Sequence, residues 1–180
     1  MRNFLAVALA ALFLASCSNV AQYKESIEGL ASNWETATQS VTNLSGQIEE
    51  VTANWASMQE KMTMNEEAMA NMSDEAKAQM EQIAGQYMGQ GKALTGLSQS
   101  VLNFVGDWEE KTATLNSLKE GLAAGKLPED VEGTIASLTE AVGGATANVT
   151  EWTGTLDGIK TAINGIVEQY QGVMAEGAAE

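Results

Sequence analysis

The chain has one thiol, Cys17, and no histidine. That pair of facts excludes Cys/His zinc sites, Cys–His and Ser–His nucleophile pairs, and any disulfide within the chain. Carboxylates occur as neighbours, at Glu49-Glu50, Glu66-Glu67, Glu109-Glu110 and Glu129-Asp130. General acid–base work would need both members of a pair on one face, yet adjacent residues of a helix point in different directions. No nucleophile or oxyanion donor accompanies them, so they read as solvated surface and no enzyme is expected. Methionine is the remaining reactive type: Met58, Met62, Met64, Met69, Met72, Met80 and Met88 crowd one stretch of the chain. Thioethers are soft metal ligands, and they are also adaptable core fillers.

The segment around Cys17 shows what its chemistry serves. Arg2 supplies a positive start and Phe4 to Leu14 is uncharged and apolar, the layout of a signal peptide. The stretch falls well short of the roughly 20 residues a membrane-spanning helix requires. It ends in Leu14-Ala15-Ser16-Cys17, which resembles the lipobox of bacterial lipoproteins. The resemblance implies cleavage before Cys17, leaving residues 1-16 as signal peptide and 17-180 as one mature domain. It also implies a diacylglyceryl group on the thiol and an acylated amino terminus. Three acyl chains, each burying many CH₂ groups at about 0.8 kcal/mol apiece, imply stable anchoring. Ser18 after the anchor is similar to the outer-membrane sorting pattern of Gram-negative lipoproteins, so the expected location is the outer membrane, with the periplasmic or surface face left open.

Past Val20, apolar residues recur at alternating steps of three and four. The first series is Val20, Tyr23, Ile27, Leu30, Trp34, Ala37, Val41, Leu44, Ile48, Val51, Trp55, Met58 and Met62. This heptad period predicts a coiled-coil helix over about 19-70 and excludes a strand, whose period is two. Ser73-Asp74-Glu75, a capping serine followed by acids, predicts a second helix over 74-123. Its seam runs from Met80 through Ile83, Tyr87, Leu94, Leu97, Val101, Phe104, Trp108, Leu115 and Leu118 to Leu122, with Gln90 and Lys111 as polar interruptions. Lys111 is expected to reach water beside Asp107. Gly125 and Pro128 mark the next turn, and the third seam from Val131 to Val173 predicts a helix over 128-174. Three long helices joined by short turns predict an all-α fold, an antiparallel up-down-up three-helix coiled-coil bundle. Setting the turns near residues 73 and 126 places second-helix residue j opposite first-helix residue ~146 − j, at equal rise per residue. Trp108 then falls near Ala37, and Trp55 near Gly89-Gln90-Gly91.

Five of the clustered methionines, Met58, Met62, Met69, Met72 and Met80, take seam positions, which reads first as core packing. Met62-x-Met64 with Met69-x-x-Met72 is also similar to the methionine spacing of proteins that carry cuprous copper, but core filling is the better account and no metal or cofactor is expected. A third reading places Met64, Met69, Met72 and Met88 at an interaction tip by the first turn, about 70 Å from the anchored end at the helical rise. Most glycines fall on the outer helix faces, where each costs about 1 kcal/mol relative to alanine. They suit either a tolerant surface or close approach by other helices.

The formal charge is −15, and it grows by one when Arg2 leaves. Such a surface repels nucleic acid and anionic head groups, so membrane contact is expected through the lipid on Cys17 alone. The expected role is a non-enzymatic structural, scaffolding or protein-interaction lipoprotein of the bacterial cell envelope, with a protein partner or self-association. The alternative is a carrier for an apolar ligand, similar to apolipoprotein bundles. A carrier needs a wide apolar face and the seam here is narrow, which favours the scaffold.

Overall fold

A computed structural model of the chain describes residues 20–62 and 72–177. It consists of three helices, α1 at Lys24–Met62, α2 at Asp74–Ala124 and α3 at Val131–Gly177, packed as an antiparallel three-helix bundle with no strand among the described residues. The heptad seams are the buried stripes. In α1, Ile27, Leu30, Trp34, Ala37, Val41, Leu44 and Ile48 are buried. Each leaves water along the face that the three-four spacing predicts.

Capping chemistry sets the helix limits. At the start of α2 the Ser73 hydroxyl accepts the Ala76 N–H at 3.2 Å and Asp74 and Glu75 occupy the first turn, where the helix dipole favours acids. The end of α2 is a Schellman motif. Gly125 takes φ +68°, its N–H donates to the Leu122 carbonyl at 3.2 Å, and the Lys126 N–H donates to the Gly121 carbonyl at 2.8 Å.

Two expected limits are corrected. The third helix opens at Val131 rather than 128, because Asp130 is its cap: the carboxylate accepts the Gly133 N–H at 3.0 Å and the carbonyl accepts the Thr134 N–H at 3.1 Å. Pro128 precedes the helix. The first helix runs unbroken only from Lys24, since the Tyr23 N–H closes a three-residue turn on the Val20 carbonyl at 3.2 Å before the regular ladder begins. Its expected end at 70 lies outside the described residues. Lys111 is exposed as expected, though no ion pair joins it to Asp107; the pairs found among the described residues are Lys24–Glu28, Lys77–Asp74 and Lys160–Asp157.

Contacts divide the chain into two compact units, one of Met1–Ser40 with Phe104–Asn148, the other of Val41–Asn103 with Val149–Glu180. The core of the first gathers Ile27, Trp34, Trp108, Leu118, Leu138 and Ala145. The core of the second gathers Met72, Met80, Ile83, Tyr87, Ile166 and Val173.

The glycines sort by what surrounds them. Outer-face Gly29, Gly106, Gly154 and Gly158 look onto open space, with no atom within 4 Å of a Cβ placed there. At Gly121 a Cβ would lie 2.5 Å from the Lys126 carbonyl oxygen, inside the cap that ends α2. The two classes respond oppositely to alanine. Gly154→Ala should raise stability by up to about 1 kcal/mol through helix propensity. Gly125→Ala should lower it by about 1–2 kcal/mol, because alanine resists the left-handed conformation, and Gly121→Ala should also destabilise by disrupting the cap. Urea unfolding followed by circular dichroism checks the signs.

Candidate functional surfaces

The side chains that most tightly couple α1 to α2 are aromatic. In the first unit Trp34 and Trp108 stack with ring centroids 3.6 Å apart and planes 11° from parallel, and Phe104 stacks on Trp108 at 5.4 Å. Each indole N–H needs an acceptor once water is gone. Trp34 Nε1 donates to Thr112 Oγ1 at 3.0 Å, and Trp108 Nε1 donates to Thr38 Oγ1 at 2.9 Å. Each threonine in turn donates to the carbonyl of the tryptophan four residues before it, Thr112 to Trp108 and Thr38 to Trp34, both at 2.8 Å. The arrangement is reciprocal: a Trp-x-x-x-Thr element on α1 grips an identical element on the antiparallel α2. The register anticipated near Trp108 is observed, but the tryptophan pair itself was missed. Its legible signal was Trp-x-x-x-Thr in both helices.

The second unit holds a similar clasp. Trp55 Nε1 donates to the Tyr87 carbonyl at 3.1 Å and the Tyr87 hydroxyl donates to the Trp55 carbonyl at 2.7 Å. The rings lie 5.6 Å apart and 13° from parallel. Gly91 makes this contact possible, because any Cβ there would overlap the Trp55 ring. The placement of Trp55 against Gly91 agrees with the sequence register.

The methionine end belongs to this second unit. Met72 and Met80 are buried, whereas Met88 is 48% exposed. Of the proposed tip, Met88 therefore presents its thioether and Met72 does not, because Met72 packs into the core with Met80 and Tyr87. Met64 and Met69 lie outside the described residues. The Gln59 amide donates to Met88 Sδ at 3.7 Å. A small cavity of about 240 Å³ is lined by Gln59, Met62, Met80, Ala84, Tyr87 and Met88, with Ile83 and Tyr170 beside them. Leu102, absent from the sequence reading because it lies off the seam, is 62% exposed.

Two open grooves accompany these features. One, of about 590 Å³, lies in the first unit and is lined mainly by Val20, Ala21, Ile27, Ala31, Leu122 and Ala123, with Lys24, Glu28 and Lys119 among its other residues. The other, of about 760 Å³ in the second unit, runs between α1 and α3 past Val51, Trp55 and Met58 on one side and Lys160, Ile163 and Val167 on the other. Cys17 lies outside the described residues. The described carboxylate pairs, Glu49-Glu50, Glu109-Glu110 and Glu129-Asp130, are exposed, and no three described acidic or thiol side chains gather closely enough to hold a metal ion.

Two described tyrosines, Tyr23 and Tyr87, have raised proton affinities. Tyr23 is raised chiefly by its hydrogen bond to Glu132, which accepts the phenol proton at 2.8 Å. Tyr87 is raised by burial. No family model, curated protein or solved structure matches the chain, so the reading of these surfaces rests on their chemistry.

The first clasp predicts a specific pattern of losses. Trp108→Ala should cost about 3–5 kcal/mol by emptying the core. Thr38→Val, which strands the Trp108 N–H, should cost about 1–3 kcal/mol. In the Trp108→Phe background Thr38→Val should cost clearly less, and a double-mutant cycle in urea measures the coupling.

The second clasp predicts an alkaline effect. Folding favours the neutral Tyr87 phenol, so its contribution is complete below the ordinary value of 10.0 and is lost as pH rises through the higher folded value. Tyr87→Phe should therefore be less stable than the parent at neutral pH yet decline less steeply above pH 10, as read from unfolding midpoints across that range.

Proposed function

We propose that the chain is a non-enzymatic lipoprotein of the bacterial cell envelope, held to the membrane through lipid on Cys17 and acting as a structural or docking scaffold for protein. The observation that carries this reading is Leu14-Ala15-Ser16-Cys17 at the end of a short apolar stretch, three residues ahead of the first described helical residue, Val20. No helix among the described residues is long and apolar enough to cross a membrane. The lipid is then the anchor, and the outer membrane is the location that the serine after Cys17 favours. So short a link holds the first unit against the membrane surface.

The scaffold reading is supported by how the apolar residues are used. The seams are spent inside the two cores, which leaves no broad apolar face among the described residues with which to cover lipid. The exposed apolar side chains Met88 and Leu102 are the points at which a protein partner gains most from contact, and methionine adapts to varied apolar surfaces. The apolar groove beside Val20 favours a second reading, a carrier for an apolar ligand.

Replacement of Cys17 by Ala should leave an unprocessed or soluble precursor in fractionation and detergent partitioning. A mature, membrane-bound Cys17→Ala protein would refute the anchor. Photo-crosslinkers at Met88, Leu102 and outer-face Gly154, used in cells, should capture protein at Met88 or Leu102. Capture at Gly154 alone would move the docking surface to the glycine face, and release of a bound apolar molecule on denaturation, without any protein crosslink, would favour the carrier.

A further inference from the structure

The seam of α1 changes character at one point. It is buried at every step from Ile27 to Ile48 and half-buried at every step from Val51 through Trp55 and Met58 to Met62. The heptad spacing continues across that point, so the change comes from the neighbouring helices and not from the pattern. Trp55 supplies the reason: its N–H donates to the Tyr87 carbonyl, and its ring stacks on Tyr87 and lies against Gly91. The bulkiest side chain of this stretch is thereby committed to α2, and the side facing α3 is left open. The result is the groove of about 760 Å³ between α1 and α3. On its opposite wall Ile163 and Val167 are half-buried as well.

Shape and charge define what fits. Val51, Trp55 and Met58 follow steps of four and three, and Ile163 and Val167 a step of four, so two parallel helices present apolar ridges with a furrow between them. A further helix lays its own ridge into such a furrow. From Gln47 to Met58 the lining runs along α1 for about 16 Å at the helical rise, which is room for about three turns. The rims are acidic, with Glu50 on α1 and Glu168 on α3. The base in the lining, Lys160, is already paired with Asp157 at 3.5 Å. A second copy of the chain would bring the same acidic rims and a charge of −15, which opposes pairing. Anionic lipid head groups are opposed on the same ground. A helix with basic flanks meets Glu50 and Glu168 with the favourable sign.

We propose that the α1–α3 groove docks an amphipathic helix of another protein, about three turns long, whose apolar stripe faces Val51, Trp55, Met58, Ile163 and Val167 and whose flanks are basic. This rests on the docking part of the proposed function and not on the lipid anchor, and it adds a surface that includes neither Met88 nor Leu102.

The test uses the full chain carrying Cys17→Ala, which keeps lipid out of the measurement, and synthetic peptides of about 18 residues, long enough to form a helix. One peptide has leucine at alternating steps of three and four, flanked by lysine. The second keeps the leucines and replaces lysine by glutamate; the third keeps the lysines and replaces leucine by alanine. Calorimetric titration should show the first peptide binding with one site per chain, and the other two about tenfold more weakly or worse. Amide NMR shifts should move at Val51, Trp55, Ile163 and Val167. Asn54→Lys and Asn164→Lys, at exposed positions where no core is disturbed, should each weaken the first peptide about tenfold. Gly154→Lys, the same change of charge on the outer face, should leave its affinity nearly unchanged. No binding, equal binding of all three peptides, equal losses for Gly154→Lys and Asn164→Lys, or shifts clustered at Met88 and Leu102 would overturn the groove site. So would a dimer that Asn164→Lys dissociates, since it assigns the groove to a second copy. Protein crosslinks in cells at Met88 or Leu102 without peptide binding here would remove the groove and leave the docking scaffold standing.

Discussion

A buried indole has one N–H and nowhere to hide it, and that constraint governs how α1 meets α2. Trp34 and Trp108 can stack only if each finds an acceptor on the opposite helix, and Thr38 and Thr112 provide them. Sliding one helix by a residue would rotate both threonines off the indoles. It would strand two buried donors at a cost of about 1–3 kcal/mol each, on top of the lost stacking. A heptad seam of similar aliphatic residues tolerates slippage; a reciprocal polar clasp does not. Trp55 and Tyr87 act in the same way in the second unit, with backbone carbonyls as acceptors and Gly91 as the gap through which the ring reaches the main chain.

The outer faces follow a different rule. They are rich in glycine, serine and threonine, residues that disfavour a helix on their own. The hydroxyls turn inward, with Thr36, Ser40, Thr52, Ser100, Thr139 and Thr161 among those donating to the carbonyl four residues earlier. Such groups offer less hydrogen-bonding capacity outward than their composition suggests. The helices persist because the buried stripes stabilise them, which is how tertiary packing ordinarily overrides weak local preference. At Gly121 and Gly133 the absence of a side chain protects a cap. At the open positions it protects nothing within the chain.

The proposed function places the activity of this chain on its surfaces and its attachment. The buried residues are hydrophobic, with no buried charged or polar residue among those described. In the proposed reading, a lipid anchor on Cys17 would divide the labour: the lipid would supply the membrane affinity, and the strongly acidic composition would keep the rest of the chain off anionic membranes. Among the described residues, large apolar side chains are exposed at Met88 and Leu102. In the second unit Met62 and Met80, which pack with the core, also border an unfilled space.

The sequence by itself determined that the protein is helical, that it has three helices, and which residues face inward, because a 3.5-residue apolar period admits one solution. It also determined the antiparallel order, since short turns leave no other path, and the level of Trp55 beside Gly91. Helix starts were less legible: Pro128 marked the last turn, but Asp130 caps the helix, and only hydrogen-bond geometry separates the two. The threonine acceptors for Trp34 and Trp108 were present as a repeated spacing whose meaning depended on the helices being antiparallel and in one register. Periodicity set Met72 on the seam and Met88 off it, yet the expected tip grouped the two; only burial in the folded chain separates Met72 from exposed Met88. Which methionines meet around one cavity was decided only by the tertiary structure, because that depends on how helices distant in sequence are set beside one another, and no spacing along a single helix contains it.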